Sequence, residues 1–197
     1  MSPGRVARDA YREALPALSA SLVGGLVAGV VLGGMRGDLA RVPGLLVLVP
    51  ALLATRGNVY SSLGARVATA LHQGMVVPRL DALDDRLARA CVAALANGLV
   101  ASAFAAVAVF VALSVLPGFP APAPLAGLVA LALVAGTLSG LTLTVVIVTA
   151  VFAGYRRGHD PDTLVGPLVT TTGDVFGLLF LLVAVRTTTA VGLLGGA

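Results

Sequence analysis

The chain has 197 residues, of which 58% are hydrophobic and only 11% charged, with a mean hydropathy of +1.01. A soluble domain carries roughly 25% charged residues, so a soluble globular fold is excluded and an all-α polytopic membrane protein is expected. The net charge of +4 does not point to nucleic acid, because every basic residue is Arg, most flank apolar runs, and no basic stripe with stacking aromatics occurs.

At about 20 residues per span, this length holds about five transmembrane helices and little else. The expected organisation is a short cytoplasmic segment, residues 1–15, followed by a five-helix membrane domain, residues 16–197. Arg5, Arg8, Asp9, Arg12 and Glu13 of the first segment suit a short amphipathic surface helix. Pro16 suits a helix start, and the first span is read as retained rather than cleaved, since the rest of the chain is equally apolar. Along it Ala17, Ser21, Gly25, Gly29 and Gly33 recur every four residues, a stripe that permits close helix contact.

The second span starts near Val42 and turns polar at Thr55-Arg56-Gly57-Asn58 without a turn-rich loop, then keeps helical periodicity to Gly74. Pro43, Pro50 and Gly57 weaken its backbone hydrogen bonding, which predicts a long bent helix whose later half faces water or the bundle interior. A charged connector, Arg79 to Arg89, precedes the third span, residues 90–116, where Asn97, Ala101 and Ala105 form another small or polar stripe. Cys91 is the single cysteine, so no internal disulfide exists and a packing role is expected. A proline-rich, uncharged connector leads to the fourth span, residues 125–152, with Ala132, Gly136, Gly140 and Thr144 at four-residue spacing.

The fifth span, residues 164–194, places one carboxylate, Asp174, inside an apolar run. Ionised side chains at membrane depth are costly and mark ion or substrate pathways by default. Pro167 lacks the N–H that would bond the carbonyl of Thr163, and Gly173 loosens the helix just before Asp174, so this helix too is expected to be broken or bent. Thr170 lies four residues before Asp174 and shares its face. A carboxylate, a hydroxyl and freed carbonyls form an oxygen-only set that suits a hard cation such as Mg²⁺, which usually keeps its waters and uses one or two carboxylates. Mn²⁺, Co²⁺ and Ca²⁺ are the alternatives.

The competing reading of Asp174 is a structural ion pair with Arg56, Arg66 or Arg186. Gly57 and Asn58 form the second candidate pair, weighed against simple interhelical bonding by the Asn amide. Arg56 and Arg66 are expected to point to the cytoplasmic interface or to a carboxylate. Thr171, Gly173 and Pro167 are candidate pore-lining positions, and Asp160 and Asp162 a cation-attracting mouth. His72 and His159 lack ligand spacing and read as surface residues. No nucleophile and base pair, phosphate loop or dinucleotide fingerprint occurs, so an enzyme is not expected. The arginine-rich side, comprising the N-terminal segment, the second connector and Arg156-Arg157, is the cytoplasmic one. That puts the chain in the cell membrane with its N-terminus cytoplasmic and its C-terminus outside.

Pro50 through Gly74, with Arg56-Gly57-Asn58 and Arg66 inside it, resembles the second-helix motif of the MgtE family and its eukaryotic solute-carrier relatives. Asp160-Pro161-Asp162 through Gly166-Pro167 and Thr170 to Asp174 resembles their fifth-helix motif. The resemblance implies a divalent cation channel or transporter, usually for Mg²⁺, working as a dimer whose second and fifth helices line the pore. It carries the pore aspartate onto Asp174, the backbone oxygen one turn earlier onto Thr170, and the polar kink onto Gly57 and Asn58. Gly166 departs from the Asn often found there and contributes no side chain. No counterpart of the family's cytoplasmic regulatory nucleotide-binding modules is expected in this chain, and a parallel homodimer in the lipid bilayer is the expected assembly. The alternatives are a Na⁺- or H⁺-coupled Mg²⁺ exchanger or a non-transporting membrane subunit.

Overall fold

A computed structural model describes residues 3–79, 84–158 and 161–194. Six helices occur in them: α1 (Pro3–Gly34), α2 (Arg36–Arg41), α3 (Leu45–His72), α4 (Asp85–Val115), α5 (Leu125–Arg156) and α6 (Pro161–Ala190). Their boundaries follow from local chemistry. Gly44, at φ +97°, turns the chain into α3 in a conformation that L side chains rarely adopt. Asp84 caps α4 by accepting a hydrogen bond from the Arg86 amide at 2.8 Å. The proline run ending at Pro124 releases α5, and Pro161 opens α6, the first-turn position where its missing N–H costs nothing. The carbonyl of Thr188 accepts from the Leu193 amide at 3.0 Å, closing α6.

Four helices are long and apolar enough to cross a membrane, within Leu45–His72, Asp85–Val115, Leu125–Arg156 and Val165–Ala190, and α1 carries a shorter apolar stretch, Leu18–Gly34. Leu22, Val30, Val100, Phe104 and Val145 are exposed on the outside of the bundle, as lipid-facing side chains are. The chain is a multi-pass membrane protein. Several details differ from the sequence expectations. α1 is one helix from Pro3 onward and does not restart at Pro16, and the short α2 fills the first connector. Helix α4 begins at Asp85, because the Asp84 cap draws the end of the charged connector into its first turn. Helices α3 and α6 each run uninterrupted through Pro50 and Pro167.

Helix α5 is the hub, packing on α3, α4 and α6, while α1 packs on α6 and touches α2. Its small residues work as their spacing suggests. A Cβ on Gly136 would stand 2.8 Å from Ser102 Oγ of α4, and one on Gly140 would overlap the Tyr60 hydroxyl of α3. The α1 stripe behaves otherwise. It is Gly24 that meets α6, at Thr171, with Ala28 buried one turn on, whereas Gly25, Gly29 and Gly33 are exposed with open space where a side chain would stand.

The core divides in two along the length of the helix bundle. One apolar cluster gathers Leu45, Leu48 and Leu52 with Leu128, Leu131, Ala135, Leu178 and Leu181. The other gathers Tyr60, Leu63 and Val67 with Leu143, Ile147, Val165 and Val169. Between them lies a belt in which Arg56, Ser102, Ser139 and Asp174 fall. The two serines stay dry by bonding within their own helices, Ser102 to the Gly98 carbonyl at 2.8 Å and Ser139 to the Ala135 carbonyl.

Overpacking a tight interface typically costs about 1–3 kcal/mol. Gly140→Val should therefore lower the thermal unfolding midpoint in detergent by several degrees by displacing Tyr60. Gly29→Ala, built into open space, should leave the midpoint unchanged or raise it. Equal midpoints for the two variants would contradict the packing described.

Candidate functional site

The site rests on how α3 and α6 pass each other. A Cβ on Gly64 of α3 would stand 2.5 Å from Val165 Cγ1 of α6. At the other end, a Cβ on Gly177 of α6 would stand 2.7 Å from Arg56 Nη1 and 2.9 Å from Leu53 Cδ2 of α3. Rising numbers on one helix meet falling numbers on the other, so the pair is antiparallel. With the same rise per residue on both helices, these two contacts set Asp174 level with Gly57 and Asn58. The two polar breaks in the apolar pattern thus share one depth, in the belt between the clusters.

Asp174 is half-buried and Thr170, one turn toward the α6 N-terminus, is exposed. The Thr170 hydroxyl lies 2.8 Å from the Gly166 carbonyl and 3.2 Å from that of Pro167, so its proton is donated back into its own helix. With that proton committed, the hydroxyl oxygen is left as an acceptor on the exposed side of α6. On α3, Asn58 is exposed, and no atom stands within 4 Å of where a Gly57 side chain would be. Asn58, Ser62, Ala65, Arg66, Thr69 and His72 continue this exposed face toward the α3 C-terminus. Asp174, Thr170, Gly57 and Asn58 therefore border open space on one chain, with polar atoms from two helices.

The remaining candidates scatter. Thr171 turns to α1, where its hydroxyl lies 3.2 Å from Ser21 Oγ. Gly173 is buried against Leu143 of α5, and Pro167 is half-buried. Asp162 falls in the first turn of α6, its side chain outside the described part, and Asp160 and His159 lie outside the described residues. Cys91 is half-buried against the Tyr60 cluster. His72 is exposed at the end of α3.

Arg56 departs most from expectation. It is 3% exposed in the bundle interior and not at the cytoplasmic interface, and it meets no carboxylate: Nε and Nη2 are buried without a hydrogen-bond partner among the described residues. The absence of a side chain at Gly177 makes the space its guanidinium uses. Arg66 is exposed and lines a cleft of about 220 Å³ between α3 and α4 together with Ser62 and Asn97. The cleft was not foreseen, since neither helix alone reveals which of its polar residues meet.

Among the described residues no group of three His, Cys, Asp or Glu side chains is assembled that would hold a metal within one chain. The arrangement is that of a multi-pass membrane protein with a single carboxylate and neutral oxygens at mid-depth, open on one side. The family model of MgtE, a divalent cation transporter, matches residues 49–184. That span takes in nearly all of α3, all of α4 and α5, and α6 beyond Asp174, and the chain belongs to the MgtE divalent cation transporter family. No curated protein sequence matches it.

The helix register is open to a direct check. The Gly64 Cβ position stands 3.3 Å from Val165 Cβ, close to the roughly 3.5–4.5 Å of a disulfide. In a Cys91→Ala background, Gly64→Cys with Val165→Cys should cross-link on oxidation, as read by a reducible mobility shift. Gly57→Cys with Val165→Cys, offset by about two turns or roughly 10 Å, should not.

Proposed function

We propose that the chain moves Mg²⁺ across the cell membrane through a pathway lined by α3 and α6 of two parallel copies, with Asp174 as the ion-contacting carboxylate. The observation that carries this reading is the common depth of Asp174 and the Gly57-Asn58 pair, beside the exposed Thr170. Every oxygen there is hard: a carboxylate, an amide carbonyl and a hydroxyl whose proton is already committed. Such a set takes an oxygen-seeking divalent cation, and its sparseness fits Mg²⁺, which gives up water reluctantly and binds through one or two carboxylates plus retained waters.

A second copy supplies what one chain lacks. One carboxylate per chain neither strips nor selects a divalent ion, and a two-fold axis near Asp174 brings two carboxylates to one ion. The exposed polar face of α3 gives that axis a wettable surface. Orientation follows from the arginines: Arg79, Arg86, Arg89, Arg156 and Arg157 lie at the ends where α3 meets α4 and α5 meets α6, against Arg36 and Arg41 at the opposite ends. The richer side is cytoplasmic, with the N-terminus there and the C-terminus outside.

Mg²⁺ uptake into proteoliposomes, read with an internal Mg²⁺ dye, tests the reading. Asp174→Ala should reduce flux to the protein-free background, and Thr170→Val should reduce it severalfold while Thr170→Ser retains it. The wild-type flux should follow the Mg²⁺ gradient alone. Dependence on an imposed Na⁺ or pH gradient would replace the channel by a coupled exchanger. Full flux in Asp174→Ala would reject the site.

A further inference from the structure

The buried Arg56 is not used by the transport reading, and an unpartnered guanidinium in a dry interior is costly unless an acceptor is near. Its surroundings narrow the choice of acceptor. Among the described residues, Asp9 and Glu13 lie in the N-terminal part of α1 before its apolar stretch, Asp38, Asp84, Asp85 and Asp162 lie at or beside helix ends, and Asp174 alone lies in the middle of a spanning helix. Arg56 is likewise in the middle of α3. Its Nη1 sits 2.7 Å from where a Gly177 Cβ would be, and residues three apart on a helix have Cβ positions about 5–6 Å apart. The guanidinium therefore lies about one turn of α6 from Asp174, and the two groups form no ion pair in this structure. Nε and Nη2 are the free donors.

We propose that Arg56 is the resident counter-cation of Asp174 and competes with the transported divalent cation for that carboxylate. The inference rests on the reading of Asp174 as the ion-contacting group. Its physical content is a limit on affinity. At mid-membrane a carboxylate facing a divalent ion without compensation binds it tightly, and conduction requires that the ion also leave. A positive charge one turn away weakens the bound state, and the same charge neutralises Asp174 when no ion is there. Arg56 is thus a positioning residue that trades affinity for release, and its charge, not its bulk, is what matters. Gly177 belongs to the same device, because its missing side chain leaves room for the guanidinium to lie back from Asp174.

The test uses the full chain, purified and reconstituted, with Mg²⁺ alone as the probe. Two readouts are taken: flux against Mg²⁺ concentration in proteoliposomes, and the Mg²⁺ concentration that raises the unfolding midpoint in detergent. Arg56→Gln should lower the half-saturating Mg²⁺ concentration in both by roughly tenfold or more, the scale of a charge pair at an effective dielectric near 20, and should lower the maximal flux. Arg56→Lys should restore values near wild type. Gly177→Ala keeps the charge but crowds Nη1 out of its recess, and should raise the half-saturating concentration. A merely structural role would lower maximal flux without tightening Mg²⁺ binding. An unchanged or raised half-saturating concentration in Arg56→Gln overturns the inference. If Arg56→Gln does not fold, an unchanged or lowered value in Gly177→Ala does so. Asp174→Asn separates the two levels. Loss of its flux and of its Mg²⁺ stabilisation keeps the transport reading whatever Arg56 does, and retention of both removes that reading and the inference with it.

Discussion

Helix α3 is held in the bundle by two long polar side chains that lie in places where neighbouring helices have no side chain. Arg56 uses the gap at Gly177 of α6, and the Tyr60 hydroxyl sits against Gly98 of α4 and Gly140 of α5. The two residues are four apart, on one face of α3, and both are essentially dry. In lipid there is no hydrophobic force between helices, so close backbone approach at small residues sets which surfaces meet. Here it also sets the rotation of α3. With Arg56 and Tyr60 turned inward, Asn58 is turned out, and Gly57 borders open space at the depth of Asp174.

That rotation explains why the core is split. Leu45 to Leu52 fill one half of the bundle and Leu63 to Leu71 the other, and the turn between them belongs to the polar belt. A belt of this kind is expensive unless its members are satisfied locally. Ser102, Ser139 and Thr170 meet the requirement by donating to carbonyls of their own helices. Arg56 and Asp174 have no such local route, since no side-chain hydrogen bond within their own helices satisfies them.

Much of this was legible in the sequence. The spanning helices, the position of Asp174 within its run, and the contact role of Gly136 and Gly140 follow from periodicity and from the cost of a carboxylate in lipid. The rest was hidden for physical reasons. On a soluble helix the apolar face points inward and fixes the direction of every other residue. On a membrane helix both core and lipid are apolar, so the pattern leaves rotation undetermined. The pattern therefore sends Arg56 to the interface or to a carboxylate, whereas Tyr60 on the same face and the distant Gly177 hold it in the bundle interior. For the same reason Gly25, Gly29 and Gly33 looked like the packing stripe of α1, while Gly24 and Ala28 make the contact. Pro16 and Pro167 looked like helix boundaries or breaks, but a helix packed along its length absorbs one missing bond without interruption.

The electrostatics of the belt connect its construction to the proposed transport. An isolated Asp174 at this depth would trap a divalent ion, and that stops a cycle of entry and release. Adding a second copy brings a second carboxylate, which improves selection of a divalent over a monovalent cation but deepens the trap. In the proposed dimer, a buried arginine about one turn from each carboxylate would reverse that trend, because two guanidinium charges would offset two carboxylates and oppose a bound ion. A sparse oxygen site can then remain hydrated, contact its ion mainly through water, and still pass it on. In this account the glycine at position 177 is as much a part of the pathway as the aspartate, since it decides how far the opposing charge stands from the ion.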